Sequence, residues 1–415
     1  MTYSTGMRSA VCLAALIASN AAHAEVTAAQ VWEDWKAQLA LYGEDNLSIG
    51  AEETSSGVLT VRDLALSASD DEVSAQVLID TITFNEQSDG SVRVTMDDSY
   101  PVVVTGEDGV VVTILISQQN MEMIVSGEPD AMDYDISADQ YKITLQDIVD
   151  ADVTFTGDAE FAMNDVDLTY NTTVDDLRNI SYGGTVASVD VLVDFQIPGG
   201  NGEYVTGGGK MVGLTTQAEM SVPLDADFED PDSLVNDGFA IAGGYTIDSA
   251  DYVFDINAEG DQASGSISMG SATLTGEMNS STVGYASNTN NVALSIMSGE
   301  FPLPIEISLA EYGVNFRMPT GASEEPADFA VGFDLIDLSI SDAIWDLFDG
   351  GNVLSRDPAT IQLAISGKAK ALFDMFDPAQ QDAMNGAEMP YELESVSIDT
   401  LNINAAGAMV TGDGA

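Results

Sequence analysis

The chain has 415 residues, with 69 Asp and Glu against 11 Lys and Arg and a formal charge of −58. No basic run is present to hold a phosphate backbone, which excludes most nucleic-acid roles. At 45% hydrophobic and 19% charged residues the chain is too apolar for a disordered polyanion, and its length allows one large or two ordinary domains.

Arg8 precedes a small apolar run from Ala10 to Ala18, and Ala22-His23-Ala24 has the small-x-small form that signal peptidase cuts. Residues 1–24 are therefore expected to be a signal peptide cleaved after Ala24, with Met7 as an alternative start, and the mature protein to be periplasmic. Cleavage removes Cys12 and His23, the single Cys and the single His. The mature protein then has no groups for a Ser-His-Asp triad, a Cys nucleophile, a Cys/His zinc site or a histidine-ligated haem. Its core must hold without disulfides. The longest apolar stretch after the signal, Val110 to Ile116, falls far short of the roughly 20 residues that a membrane-spanning helix needs, so none is expected.

Residues 25–43 read as a helix: Thr27 and Gln30 have capping-box spacing, Val31, Trp32, Trp35, Leu39 and Tyr42 share one face, and Gly43 is a stop. Residues 44–320 read as an extended antiparallel body. Val58 to Arg62, Val73 to Phe84, Val92 to Met96, Phe161 to Tyr170, Asp251 to Ala258 and Ser264 to Leu274 alternate apolar and polar side chains. Ser56-Gly57, Asp89-Gly90, Asp97-Asp98, Gly199 to Gly202 and Gly207-Gly208-Gly209 are expected turns. A Thr-Gly-acid triplet recurs at Thr105, Thr156, Thr275 and Thr411, at unequal spacings that do not define a propeller or a regular solenoid. Residues 321–415 read as an α+β part, with helices expected at 341–349 and 378–385, a strand from Leu393, and a last turn at Gly412-Asp413-Gly414 whose returning strand is missing, as in a truncated chain. The fold class expected is mainly β with minor α: an N-terminal amphipathic helix packed on a long curved antiparallel sheet, meander or half-barrel, with small helices near the C-terminus.

The stretches Phe333 to Asp349, Leu354 to Asp377 and Leu393 to Ala415, through Trp345, Arg356-Asp357-Pro358-Ala359-Thr360 and Ala406-Gly407, resemble the bacterial domain of unknown function 2125. That resemblance implies an exported alphaproteobacterial protein with an early helix and a long β-rich body that continues past this C-terminus. It carries over no catalytic residue. By general shape it also suggests envelope proteins whose curved sheets hold lipid on a concave apolar face.

Asp225, Asp227, Glu229, Asp230 and Asp232 offer oxygen ligands of the kind Ca²⁺ takes. Their spacing is not that of an EF-hand, so a solvated loop is the favoured reading and weak Ca²⁺ binding the alternative. Glycosidase chemistry needs only two carboxylates about 5 to 9.5 Å apart, but among so many acids the sequence singles out no pair. Gly207-Gly208-Gly209-Lys210 lacks the Ser/Thr that follows the lysine of a phosphate loop, and a hairpin loop is expected there. No enzyme and no cofactor is therefore expected. The reading is a cell-envelope protein that binds a lipid or a protein partner on the concave face of its sheet. Alternatives are an outer-membrane β-barrel porin, which the acidity and the many strands fit but the helices and the low aromatic content do not, and a cation-dependent surface scaffold.

Overall fold

The computed structural model describes residues 25–40, 46–69, 73–106, 109–150, 153–154, 156–196, 202–226, 231–258, 261–299, 303–387 and 389–415. Helix α1 (Ala28–Ala40) is followed by strands β1 (Leu47–Ser55), β2 (Val58–Ser69), β3 (Val73–Glu86), β4 (Val92–Met96), β5 (Ser99–Gly106), β6 (Val111–Gln119), β7 (Glu122–Glu128) and β8 (Ala131–Asp150). A short β9 (Val153–Thr154) leads into β10 (Thr156–Val174), β11 (Leu177–Gln196) and β12 (Tyr204–Pro223), and helix α2 (Pro231–Asn236) follows. Then come β13 (Ala240–Ile247), β14 (Ser249–Ala258), β15 (Asp261–Met269), β16 (Ala272–Met278), β17 (Thr282–Ser298), β18 (Ile305–Pro319) and β19 (Ala327–Ile340). Helices α3 (Asp342–Trp345) and α4 (Pro378–Gly386) flank β20 (Ala359–Ala371), and β21 (Tyr391–Ala405) and β22 (Ala408–Gly414) complete the order.

All the strands belong to one 22-stranded antiparallel sheet. Strands β4 and β5 lie end to end against β3, as do β13 and β14 against β12; β6 with β7 and β15 with β16 continue the same pattern. With each such pair taken as one strand, every strand neighbours the strands before and after it in the chain: the sheet is an up-and-down meander. It runs through residue 320 unbroken, since β19 pairs with both β18 and β20. Among the described residues β1 and β22 are the two edges and do not meet, so the ladder is open.

Several local expectations change. The three glycines 207–209 are not a hairpin loop but lie inside β12, paired with β11 and β14. A Cβ on Gly209 would come within 2.1 Å of the Asp251 carbonyl oxygen and 2.3 Å of the Tyr252 ring, so the residue is glycine because neighbouring strands approach closely. Thr275-Gly276-Glu277 and Thr411-Gly412-Asp413 are likewise strand, and the last turn is Ala406-Gly407, both at positive φ, with β22 as the returning strand. Asp97-Asp98 does not reverse the chain; it separates two collinear strands.

That interruption belongs to a line crossing the sheet. In strand after strand the two-residue alternation slips by one, so that two side chains facing α1 stand three apart: Val61 and Leu64, Ile79 and Ile82, Ala138 and Tyr141, Met163 and Val166, Val186 and Val189, Ile247 and Ala250. Neighbouring strands slip at the same level, which keeps the register. Arg62 faces Thr81 and Leu64 faces Ile79, with Asp63 and Asp80 between them. The slipped residue has positive φ at Asp63, Asn120, Asp165, Gly213, Asn291 and Asp337. Asp, Asn and Gly are the types that tolerate this left-handed backbone. Asp63, Asp80, Asp139, Asp165 and Asp248 are exposed on the face away from α1. That face therefore carries one more residue per strand than the α1 face, an arrangement expected to curl the sheet toward α1 along the seam.

Candidate functional site

The bent sheet forms a trough whose first end is closed by α1. Its N-terminus is fixed by the expected capping box, in which the Thr27 N–H donates to Gln30 Oε1 at 2.9 Å and the Gln30 N–H to Thr27 Oγ1 at 3.3 Å. Val31 and Trp32 are fully buried on Leu59, Val61, Phe84, Val92 and Val125. The Trp32 indole N–H donates to Glu52 Oε1 at 2.7 Å, and the Ala28 N–H to Glu86 Oε1 at 3.0 Å. Tyr42 and Gly43 lie outside the described residues.

The C-terminal half of α1 is held by a polar knot. Arg178 of β11 pairs with Asp34 at 2.7 Å, both about 9% exposed, and reaches Thr172 Oγ1 at 3.4 Å. Tyr134 donates to Asp34 Oδ2 at 3.3 Å, Gln38 donates to the same oxygen at 2.7 Å, and Tyr170 donates to Gln38 Oε1 at 2.9 Å. Burial, aided by the Asp34 charge, pushes the Tyr134 and Tyr170 phenols up, which keeps both neutral. A cleft of about 280 Å³ opens beside the knot between Trp35, Leu39, Tyr134, Ile136 and Tyr170, where α1 stops covering the sheet.

Beyond α1 the same face continues across the sheet: Phe329, Ala369 and Ala371 on it are buried, Leu234 and Val235 of α2 are buried too, and between these places its side chains stay exposed. Cross-strand pairing carries Tyr170 to Tyr182, Ala218, and then through Gly243 and Gly276 to Tyr285, Phe316 and Val331. A parallel row runs through Tyr245, Leu274, Val314, Phe333, Leu363 and Leu401. Tyr182, Tyr245, Tyr285, Phe316, Val331 and Ile398 stay substantially exposed. Exposed apolar side chains on one continuous face are unusual on a protein surface.

The trough is almost free of charge. From β10 to β21, among the described residues, the register turns two charged side chains to the α1 face: Arg178, already paired with Asp34, and Asp261, exposed at the rim where β15 begins. Arg62, Arg93, Lys142, Lys210, Arg317, Lys368 and Lys370 all fall on the opposite face. There Lys210 pairs with Asp190 at 3.2 Å, Lys368 with Asp328 at 2.9 Å, and Arg317 with Glu277. A polar ladder follows the seam on that face: Gln140 donates to Asn164 Oδ1 at 2.9 Å, Asn164 to Asp190 Oδ2 at 2.7 Å, and Asn120 to Asp139 Oδ2 at 2.6 Å.

A depression of about 850 Å³ lies on this polar face over Gly183, Ala242, Gly284 and Ala286 and is rimmed by the Glu277–Arg317 pair. It exists because its floor residues are small. Among the described residues the buried side-chain atoms without a partner are Gln118 Oε1 and Arg356 Nε, and neither lines it.

Of the acidic cluster read from the sequence, Asp225 is exposed in the turn after β12. Asp232 falls within α2, while Asp227, Glu229 and Asp230 lie outside the described residues. Among the described residues no three His, Cys, Asp or Glu side chains converge as a metal site. No described helix is long and apolar enough to cross a membrane. Comparison with protein-family models, curated proteins and solved structures finds no match for this chain.

Proposed function

We propose that this chain is a non-enzymatic periplasmic protein of the cell envelope that holds a lipid in the trough. The observation that carries this reading is the uncharged apolar face on which Tyr182, Tyr245, Tyr285, Phe316 and Val331 stay exposed beyond α1. A face of this kind left to water is unfavourable by about 25 cal/mol for each Å² of apolar area, and an acyl chain laid along it removes that penalty without bringing polar groups. The apolar sequence between Arg8 and Ala24 supports export, and the resemblance of Phe333 to Ala415 to the domain of unknown function 2125 supports an envelope setting. A porin fits less well: its apolar band faces outward on a closed ladder, whereas here the two edges stay apart and the acids face outward.

The test is organic extraction of protein purified without detergent, followed by mass spectrometry, together with displacement of a fluorescent fatty-acid probe. Acyl species in the extract and saturable displacement are expected. A protein that neither carries nor accepts any acyl compound overturns the reading.

A further inference from the structure

The charge inventory and length of the trough narrow its occupant further. This step rests on the lipid-holding reading above. We infer that the trough takes the uncharged acyl parts of lipids, at least two chains per protein, and excludes any charged headgroup from its length.

From β10 to β21 each strand is paired on both flanks, so away from the register breaks of β19, β20 and β21 the wall offers side chains rather than free backbone groups. An extended peptide lying there would bury its own N–H and C=O groups without partners, at several kcal/mol each in an apolar setting. A hydrocarbon chain has no such groups. The remaining protein occupant is an amphipathic helix, which satisfies its own backbone and which α1 already exemplifies at the closed end.

Charge selects among lipids. A phosphate or carboxylate drawn into the trough would need a cation, and the one on this face along β10 to β21, Arg178, is neutralised by Asp34. Every lysine and the other strand arginines lie on the opposite face of the sheet or on α1, where Lys36 is bound to Glu33 at 2.7 Å. An unpaired buried anion is strongly disfavoured. The polar groups that the trough offers include the neutral phenols of Tyr182, Tyr245, Tyr285 and Tyr312, the Ser287 hydroxyl, and the Tyr100 and Tyr141 hydroxyls 3.3 Å apart near the seam. They suit hydroxyl or ester groups.

Length sets the number. From β12 to β22 the face beyond α1 spans eight inter-strand steps of about 4.8 Å, or roughly 38 Å. A bilayer's hydrocarbon core of about 30 Å is two acyl chains deep, so one chain reaches about 15 Å and two fit end to end.

The experiment titrates delipidated full-length protein with monolauroylglycerol and with laurate at pH 8, both below their micellar concentrations, by isothermal calorimetry. Monolauroylglycerol is expected to saturate at two or more equivalents, with laurate at least tenfold weaker. Ser287→Lys places a cation between Leu274 and Val314 on the trough face and is expected to raise laurate affinity at least tenfold. Ser287→Met, of similar bulk without charge, is expected to leave laurate weak. Saturation at one equivalent, equal affinity for the two ligands in the native protein, or no gain with Ser287→Lys in a variant that still binds monolauroylglycerol each overturns this inference while leaving lipid binding standing. Failure of both ligands to bind overturns the lipid-holding reading itself, and capture of a synthetic α1 peptide in their place assigns the trough to a helix.

Discussion

Asp34 and Arg178 sit 144 positions apart in sequence and meet where α1 crosses β11. Removing one partner leaves the other as an uncompensated buried charge, so Arg178→Met is expected to destabilise by about 3–5 kcal/mol, while the double change Asp34→Leu with Arg178→Met is expected to cost much less. Urea melts of the three proteins check this. Asp165 stands at φ 50° on the seam. Asp165→Val forces a β-branched residue into left-handed backbone and is expected to cost about 1–3 kcal/mol, whereas Asp165→Gly is expected to be tolerated; thermal melts separate the two. Asp349 accepts the Val353 and Leu354 N–H groups at 3.0 and 2.9 Å, and these bonds, with Arg356 nearby, hold its carboxyl below the usual carboxylate range. Its contribution to the loop between α3 and β20 is therefore whole above the ordinary Asp value of about 3.9 and is lost as pH falls through the lower folded value. The Val353 and Leu354 amide shifts are expected to hold steady down to about pH 4 and to move below it, and Asp349→Asn to show the moved shifts already at neutral pH.

At the scale of elements, α1 and the strands were legible because their signals are local. The Thr27/Gln30 spacing and the stripe through Trp32 mark the helix, and period two marks β2, β3, β4 and β14. The glycines of β12 misled because glycine serves turns and close strand contacts alike, and the difference lies in Asp251 and Tyr252, some forty residues away. The seam was hidden for a related reason. Its residues align across the sheet but are unequally spaced along the chain, and only the cross-strand register brings Asp63 level with Asp80. An apolar pair three apart with Asp, Asn or Gly between was the available signal. Trp32 is the element's main anchor: its ring lies 5.7 Å from that of Phe84 and its N–H is bound to Glu52. Trp32→Ala is expected to cost about 3–5 kcal/mol by chemical denaturation, and to raise binding of an apolar dye as the core under α1 opens.

For the molecule as a whole, the mainly β class with one helix packed on a long antiparallel sheet was readable from composition and periodicity. The trough was readable only in outline. Alternation says that each strand has an apolar face, but the emptiness of that face of charge emerges when the register sorts Lys142, Lys210, Arg317 and Lys368 to the other side. Stability is also distributed along the sheet. The main core runs from Val26 to Tyr134, whereas β22 is a seven-residue edge with Met409 and Val410 exposed. Native-state hydrogen exchange is expected to be fastest in β21 and β22 and slowest in β3, β4, β7 and β8.

The up-and-down order bears on how such a chain is made. Because each hairpin docks on the one before it, strand pairing closes only short stretches of chain, and the long closures are those of α1 onto β8, β10 and β11. The main core lies within the first third of the sequence, so the later strands are expected to add to a template that this part supplies. The expected order of assembly runs from the helix outward, as a fabric is knitted row upon row.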